Sequence, residues 1–130
     1  MAAIELTKDN FDSVVTENPF VVVDFWAPWC GPCRGFAPVF EAASAKHPDI
    51  VFGKVNTEAE PELASGFGIR SIPTLMVMRD QVILHSQAGA LPASALEQVI
   101  SQAAALDMDK VRADIAEDEK RAEAGQDGTR

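Results

Sequence analysis

The sequence predicts an α/β domain, a sheet covered by helices on both faces, and three observations carry that prediction. The runs FVVVDFW (20–26) and IVFGKVN (50–56) are β-branched and aromatic with almost no alternation, the pattern of strands buried on both faces. Between and after them apolar residues recur at i, i+3, i+4, the helical period. A chain of 130 residues with 47% hydrophobic and 24% charged residues can bury one core of ordinary size, so one domain is the default.

The elements follow in order. AAIEL is a short apolar stretch at the N-terminus, and Thr7 is an N-cap candidate for a helix carrying Phe11, Val14 and Val15, which Asn18 and Pro19 end. After the strand 20–26, a helix runs from Pro32 through Phe36, Val39, Phe40 and Ala43 to Lys46, His47 and the breaker Pro48, with a kink expected at Pro38. The strand 50–56 leads to Thr57 and Glu60, which have capping-box spacing. They open a short helix with Leu63, Ala64 and Phe67 inward and Gly66 or Gly68 at its end. TLMVM and VILHSQA, separated by Arg79, Asp80 and Gln81, make an antiparallel hairpin, and Leu96, Val99, Ile100, Ala103 and Leu106 mark a last helix. The order β α β α β α β β α gives parallel strands joined by helices plus an edge hairpin.

Residues 107–130 differ from 1–106: eight acidic and five basic residues with few large apolar ones. Met108, Val111 and Ile115 continue a helical stripe for two turns, and the rest of this acidic tail is expected to be solvated or disordered.

The net charge of −9 argues against nucleic acid and anionic membranes as partners, and no segment approaches a membrane span. MAAIELTKDNF has no basic, then apolar, export pattern, so a cytoplasmic location is expected. There the two cysteines of WCGPC are more suited to a metal or redox chemistry than to a structural staple, since a four-residue loop constrains the unfolded chain little. Cys30 falls where a strand gives way to a helix, and Pro32 suits a first helical turn. A thiol there meets unpaired backbone N–H groups and the positive end of the helix dipole, which favour the thiolate. Cys33 lies on the same side of that turn, so one thiol can attack and the other resolve. Structural zinc needs four ligands, whereas only His47 and His85 remain as nitrogen donors, and both read as surface residues. A purely structural cysteine pair stays open; Arg34 after Cys33 excludes a c-type haem motif.

Asp24 and Lys54 interrupt the two buried strands at positions that adjacent parallel pairing would bring together. They read either as a structural ion pair or as a buried proton acceptor, Asp24, tuned by Lys54 beneath the CxxC. Trp29 suits an exposed binding surface, whereas Trp26 is assigned to the core. Pro73 in SIPT is either a trans strand opener or a cis proline that turns Ile72 outward.

VVVDFWAPWCGPCRGFAPVFE, GIRSIPTL and AGAL together resemble the thioredoxin family, over about residues 4–106. The resemblance implies the thioredoxin fold, a central five-stranded mixed sheet flanked by four helices, and a protein dithiol-disulfide oxidoreductase working in the reducing direction. It implies Cys30 as nucleophile, Cys33 as resolving thiol and their reversible disulfide, Gly31 and Pro32 as the active-site loop, and Asp24 as proton acceptor tuned by Lys54. Trp29, Ile72, a cis Pro73, Gly89 and Ala90 would line the substrate groove. It further implies a monomer with no bound cofactor or metal, acting on disulfide-containing proteins and recharged from NADPH by a flavin-containing thioredoxin reductase. An oxidant or isomerase is disfavoured by Gly31 and Pro32 between the cysteines; a chaperone or adaptor of the same fold, using the groove or tail, is the competing class. Two departures from the family pattern stand out. Asp80 and Gln81 replace a frequent Asn-Gly, which favours a different turn type, and Gly35 replaces a larger apolar residue after CGPCR.

Overall fold

The computed structural model describes the backbone of residues 3–129 and the side chains of residues 3–124. Met1, Ala2 and Arg130, which belong to the expected N-terminal stretch and tail, lie outside the described residues. In chain order the elements are β1 (Ile4–Glu5), α1 (Phe11–Glu17), β2 (Phe20–Trp26), α2 (Gly31–Lys46) and β3 (Val51–Asn56). They continue with α3 (Pro61–Gly66), β4 (Thr74–Arg79), β5 (Val82–Ala88), α4 (Ala93–Ala105) and α5 (Met108–Thr129). The strands form one mixed sheet in the order β1-β3-β2-β4-β5. β1 and β2 run parallel to β3, whereas β4 is antiparallel to β2 and β5 to β4.

The central strand explains the unbroken apolar run that announced it. Val22 faces Phe36, Phe40 and Leu96, beneath α2 and α4. Val21, Val23 and Phe25 face Phe11, Val15 and Ala64, beneath α1 and α3. With both faces covered, alternation has nothing to select. Gly53 in β3 is fixed by packing: a Cβ there would fall 2.6 Å from Leu6 Cγ, while Leu6 N–H donates to Lys54 O at 2.8 Å.

Several local expectations are corrected by longer-range partners. Thr7 is not the N-cap of α1; Asn10 holds that position, and its Oδ1 accepts the Thr7 N–H at 2.7 Å. Thr57 and Glu60 do not form a capping box. Thr57 N–H and Oγ1 both donate to Trp26 O, at 2.8 and 3.1 Å, and α3 opens on Pro61. The α3 end is closed by Gly68 at φ 68°, one of the two sequence candidates. α2 extends from Gly31 to Lys46 with Pro38 inside it, where the sequence placed that proline. In the β4–β5 turn Asp80 and Gln81 both keep positive φ, 51° and 66°, so the substitutions do not change the turn to one of negative φ. His47 is not a free surface residue: its Nε2 lies 2.8 Å from Glu97 Oε1 and its ring stacks on Phe52.

The largest departure is the tail. Helix extends over Met108–Thr129, well past the two turns expected. Asp107 Oδ1 accepts the N–H groups of Asp109 and Lys110, a cap that satisfies two of the orphan donors of the first turn. Opposite charges recur at helical spacing in Asp109–Arg112, Lys110–Asp114 and Asp118–Arg121. Apolar content is too low for a core, but capping and pairing along a solvated helix do not require one. Met108 is buried, whereas Ile115 is exposed.

Candidate active site

The β2 strand ends at Trp26, and after the four residues 27–30 α2 begins at Gly31 with Pro32 in its first turn. Cys30 is the N-cap of α2. Its Sγ accepts the Cys33 N–H at 3.2 Å, while its carbonyl accepts the Arg34 N–H at 3.2 Å. Cys30 and Cys33 are joined as a disulfide, with Cα atoms 5.2 Å apart. Both pack with Ala27 in a small apolar cluster that Trp26 and Ile72 border, so Trp26 is half-buried against the cysteines instead of lying in the main core. Both cysteines are buried, Cys30 at 5% and Cys33 at 2% exposure. At this N-cap position a backbone N–H points at the Cys30 sulfur and the helix dipole favours a thiolate.

Behind the pair lies Asp24, fully buried on the sheet face that α2 covers and aligned with Lys54 in β3 and Leu75 in β4. Neither carboxyl oxygen has a hydrogen-bond partner among the described residues. Burial, only partly offset by the charge of Lys54, raises its pKa from 3.8 to about 6. Lys54 acts through its field: its Nζ sits over the Trp26 ring, 4.8 Å from the centroid, and makes no ion pair with Asp24. The structural ion-pair reading is therefore replaced by a buried carboxyl with unused acceptor capacity.

Across from Cys30, Ile72 O lies 3.8 Å from the Cys30 sulfur, and the Ile72–Pro73 peptide bond is cis. Gly89, at φ 103°, donates its N–H to Pro73 O at 2.8 Å, which brings the end of β5 alongside. Gly89 and the adjoining Ala90 are exposed, as is Trp29, at 65%. Gly31 and Pro32 are exposed in the first turn of α2. Trp29 and Ile72 also line a depression together with Arg70 and Thr57, two residues that sequence reasoning did not connect with the site. Arg70 stood in plain view inside GIRSIP; what hid it was that β3, α3 and the redox loop meet only in three dimensions. Among the described residues no cluster of three or more His, Cys, Asp or Glu is placed to hold a metal ion, and no helix is long and apolar enough to cross a membrane.

Chemistry at such a centre is thiol–disulfide exchange: the two sulfurs are reduced together and reoxidised to each other, and no other covalent bond of the chain changes. That defines the class, a dithiol-disulfide oxidoreductase built on an α/β sheet. The thioredoxin family model matches residues 2–102. A protein of Streptomyces coelicolor described as putative thioredoxin 2 is 60% identical over 93% of this chain and 90% of its own. Thioredoxin 1 of Synechococcus elongatus is 43% identical over 77% of this chain and 95% of its own. Among solved structures, Plasmodium falciparum thioredoxin superposes with a TM-score of 0.71 at 36% identity, covering 77% of this chain and 97% of that one. The chain belongs to the thioredoxin family. It is a protein-disulfide reductase with a redox-active cysteine pair at Cys30 and Cys33. The Streptomyces match is too long to fit within residues 1–106, so that relative shares part of the helical extension.

Proposed function

We propose that Cys30 is the attacking thiol and Cys33 the resolving one, with Asp24 as proton acceptor. The observation that carries this assignment is the position of Cys30: N-cap of α2, sulfur facing a backbone N–H, and the less buried of the two. The Cys30 thiolate attacks one sulfur of a substrate disulfide, forming a mixed disulfide and expelling the other substrate sulfur as thiolate. Cys33 then gives its proton to Asp24 and attacks Cys30 Sγ. The Cys30–Cys33 disulfide forms, the second substrate thiolate leaves, and two electrons have passed to the substrate. Unpaired acceptor oxygens and a pKa near 6 suit Asp24 to take that proton near neutral pH. Lys54 moderates this basicity through its charge.

Trp29, Ile72, Pro73, Gly89 and Ala90 form the groove in which an extended substrate segment docks, the exposed backbone beside the cis bond supplying hydrogen bonds. Gly31 and Pro32 shape the loop that presents Cys30. The reductant is NADPH, delivered by a flavin-containing thioredoxin reductase, and no cofactor binds the chain itself. Residues 1–106 act as the catalytic domain and 107–130 as an accessory extension. The protein works as a cytoplasmic monomer.

Insulin disulfide reduction coupled to NADPH and a thioredoxin reductase tests the assignment. Cys30→Ser is expected to lose turnover completely. Cys33→Ser should trap the mixed disulfide, and Asp24→Asn should let it accumulate. Unchanged turnover in Cys30→Ser, or unchanged decay of the intermediate in Asp24→Asn, removes the corresponding role.

A further inference from the structure

Beside the redox centre the surface holds two adjoining depressions, of about 220 and 450 Å³, which share Thr57, Ala64, Ile69 and Arg70. The first is bounded by Trp29 and Ile72, the residue whose carbonyl faces the Cys30 sulfur. Their walls are apolar or neutral except at one point: Arg70 is the charged side chain that lines both, among the described residues. Its guanidinium is exposed, and no hydrogen bond or ion pair engages it among the described residues. The other arginine near the loop, Arg34, is already occupied, donating from Nη1 to Pro28 O at 2.9 Å. A chain with net charge −9 thus keeps an unengaged cation over a largely apolar hollow bounded by Ile72, whose carbonyl lies 3.8 Å from the Cys30 sulfur.

From this we infer that Arg70 is a specificity-determining residue, reading a carboxylate side chain that a substrate carries close to its reacting cysteine. The inference rests on the assignment of Cys30 as the attacking thiol. Charge complementarity selects the occupant. A guanidinium presents a fork of N–H donors matched to a carboxylate, and the apolar floor formed by Ala64, Ile69 and Ile72 accommodates the aliphatic stem of an acidic residue. A lysine on the substrate at this position meets like charge. The subsite favours substrates whose disulfide is flanked by Asp or Glu, and because the pair is solvent-exposed its contribution is modest and sensitive to salt.

Three disulfide-bridged peptides that differ only in Glu, Gln or Lys beside the reacting cysteine provide the test. Each is mixed with pre-reduced full-length protein, and second-order rate constants are read in single turnover at low and high salt. The wild type should reduce the Glu peptide about two- to fivefold faster than the Gln peptide, the span of an exposed ion pair, with the Lys peptide slowest. Raising the salt to 0.5 M should compress the series. In Arg70→Gln the Glu-to-Gln ratio should fall to about one, in Arg70→Lys it should be partly restored, and in Arg34→Gln it should stay at the wild-type value. An equal rate for all peptides in the wild type overturns the inference, as does a ratio that survives in Arg70→Gln or disappears in Arg34→Gln. If the wild type fails to reduce even the Gln peptide, the Cys30 assignment falls and this inference falls with it, an outcome distinct from reduction without charge preference.

Discussion

The two ends of the sheet are treated in opposite ways. At the end where β2 gives way to α2, polar groups go unpaired: both Asp24 oxygens lack partners, Arg70 has none among the described residues, and Trp29 stands out in solvent. The register of β2 with β4 puts Arg79 opposite Phe20, at the far end of the same strand. There the charges are used. Arg79 Nη1 donates to the carbonyls of Ala103, Ala104 and Leu106 at the end of α4, and its guanidinium lies over Phe20. Arg112 of α5 bridges Asp80 in the hairpin turn and Asp109 in its own first turn. The far end is satisfied, and the redox end retains the unmet acceptors and open surface that exchange chemistry needs. Substitutions at the redox end should therefore stabilise the fold and those at the far end should weaken it.

The largest effect is expected at Asp24. A carboxyl moved from 3.8 to about 6 is protonated more readily in the folded than in the unfolded chain, so its ionisation works against folding as pH rises through that interval. Below pH 3.8 both states are protonated and the penalty is absent; above about 6 it is complete, roughly 3 kcal/mol. Denaturant unfolding of the disulfide form should show Asp24→Asn gaining about that much on the wild type between pH 3.5 and pH 8. A pH-independent difference would break the contrast. Arg79→Gln should do the reverse, costing about 2 kcal/mol because the charged donor shared by the carbonyls at the end of α4 is lost, with fraying of α4 visible in hydrogen exchange at Leu106.

Gly35→Ala sharpens the comparison at smaller amplitude. The position is inside α2 with open space where a Cβ would stand, so thermal unfolding should show a gain of about 0.5–1 kcal/mol. Gly53→Ala, by contrast, meets Leu6 and should destabilise even though both are glycine-to-alanine changes in regular elements. The smallest effect is expected for Arg112→Ala. Its ion pairs are solvent-exposed, and any loss in unfolding midpoint should vanish in high salt.

Sequence patterns made legible whatever is local or periodic: the doubly buried strands, the boundaries of α2 at Pro32 and His47, and the placing of both cysteines at a strand-to-helix junction. They also located Asp24 opposite Lys54, because parallel pairing of two interrupted strands permits little else. What escaped depends on partners distant in sequence. Thr57 has the spacing of a cap, but Trp26 O claims its hydroxyl. Glu97 claims His47, fifty residues away. Arg70 is an ordinary loop cation until Thr57, α3 and Trp29 close a hollow around it. The length of α5 was missed for another reason: its helix depends on capping by Asp107 and on charge spacing, and an apolar stripe registers neither.

The attachment of α5 also has a practical meaning. Its anchor, Arg112 on the hairpin turn, sits at the end of the sheet remote from Cys30, and the 22-residue helix corresponds to about 33 Å of rigid rod. A dye, resin or fused enzyme joined behind that rod would be tethered through the far pole, so the protein offers a natural handle for immobilising a disulfide reductase with its working face outward.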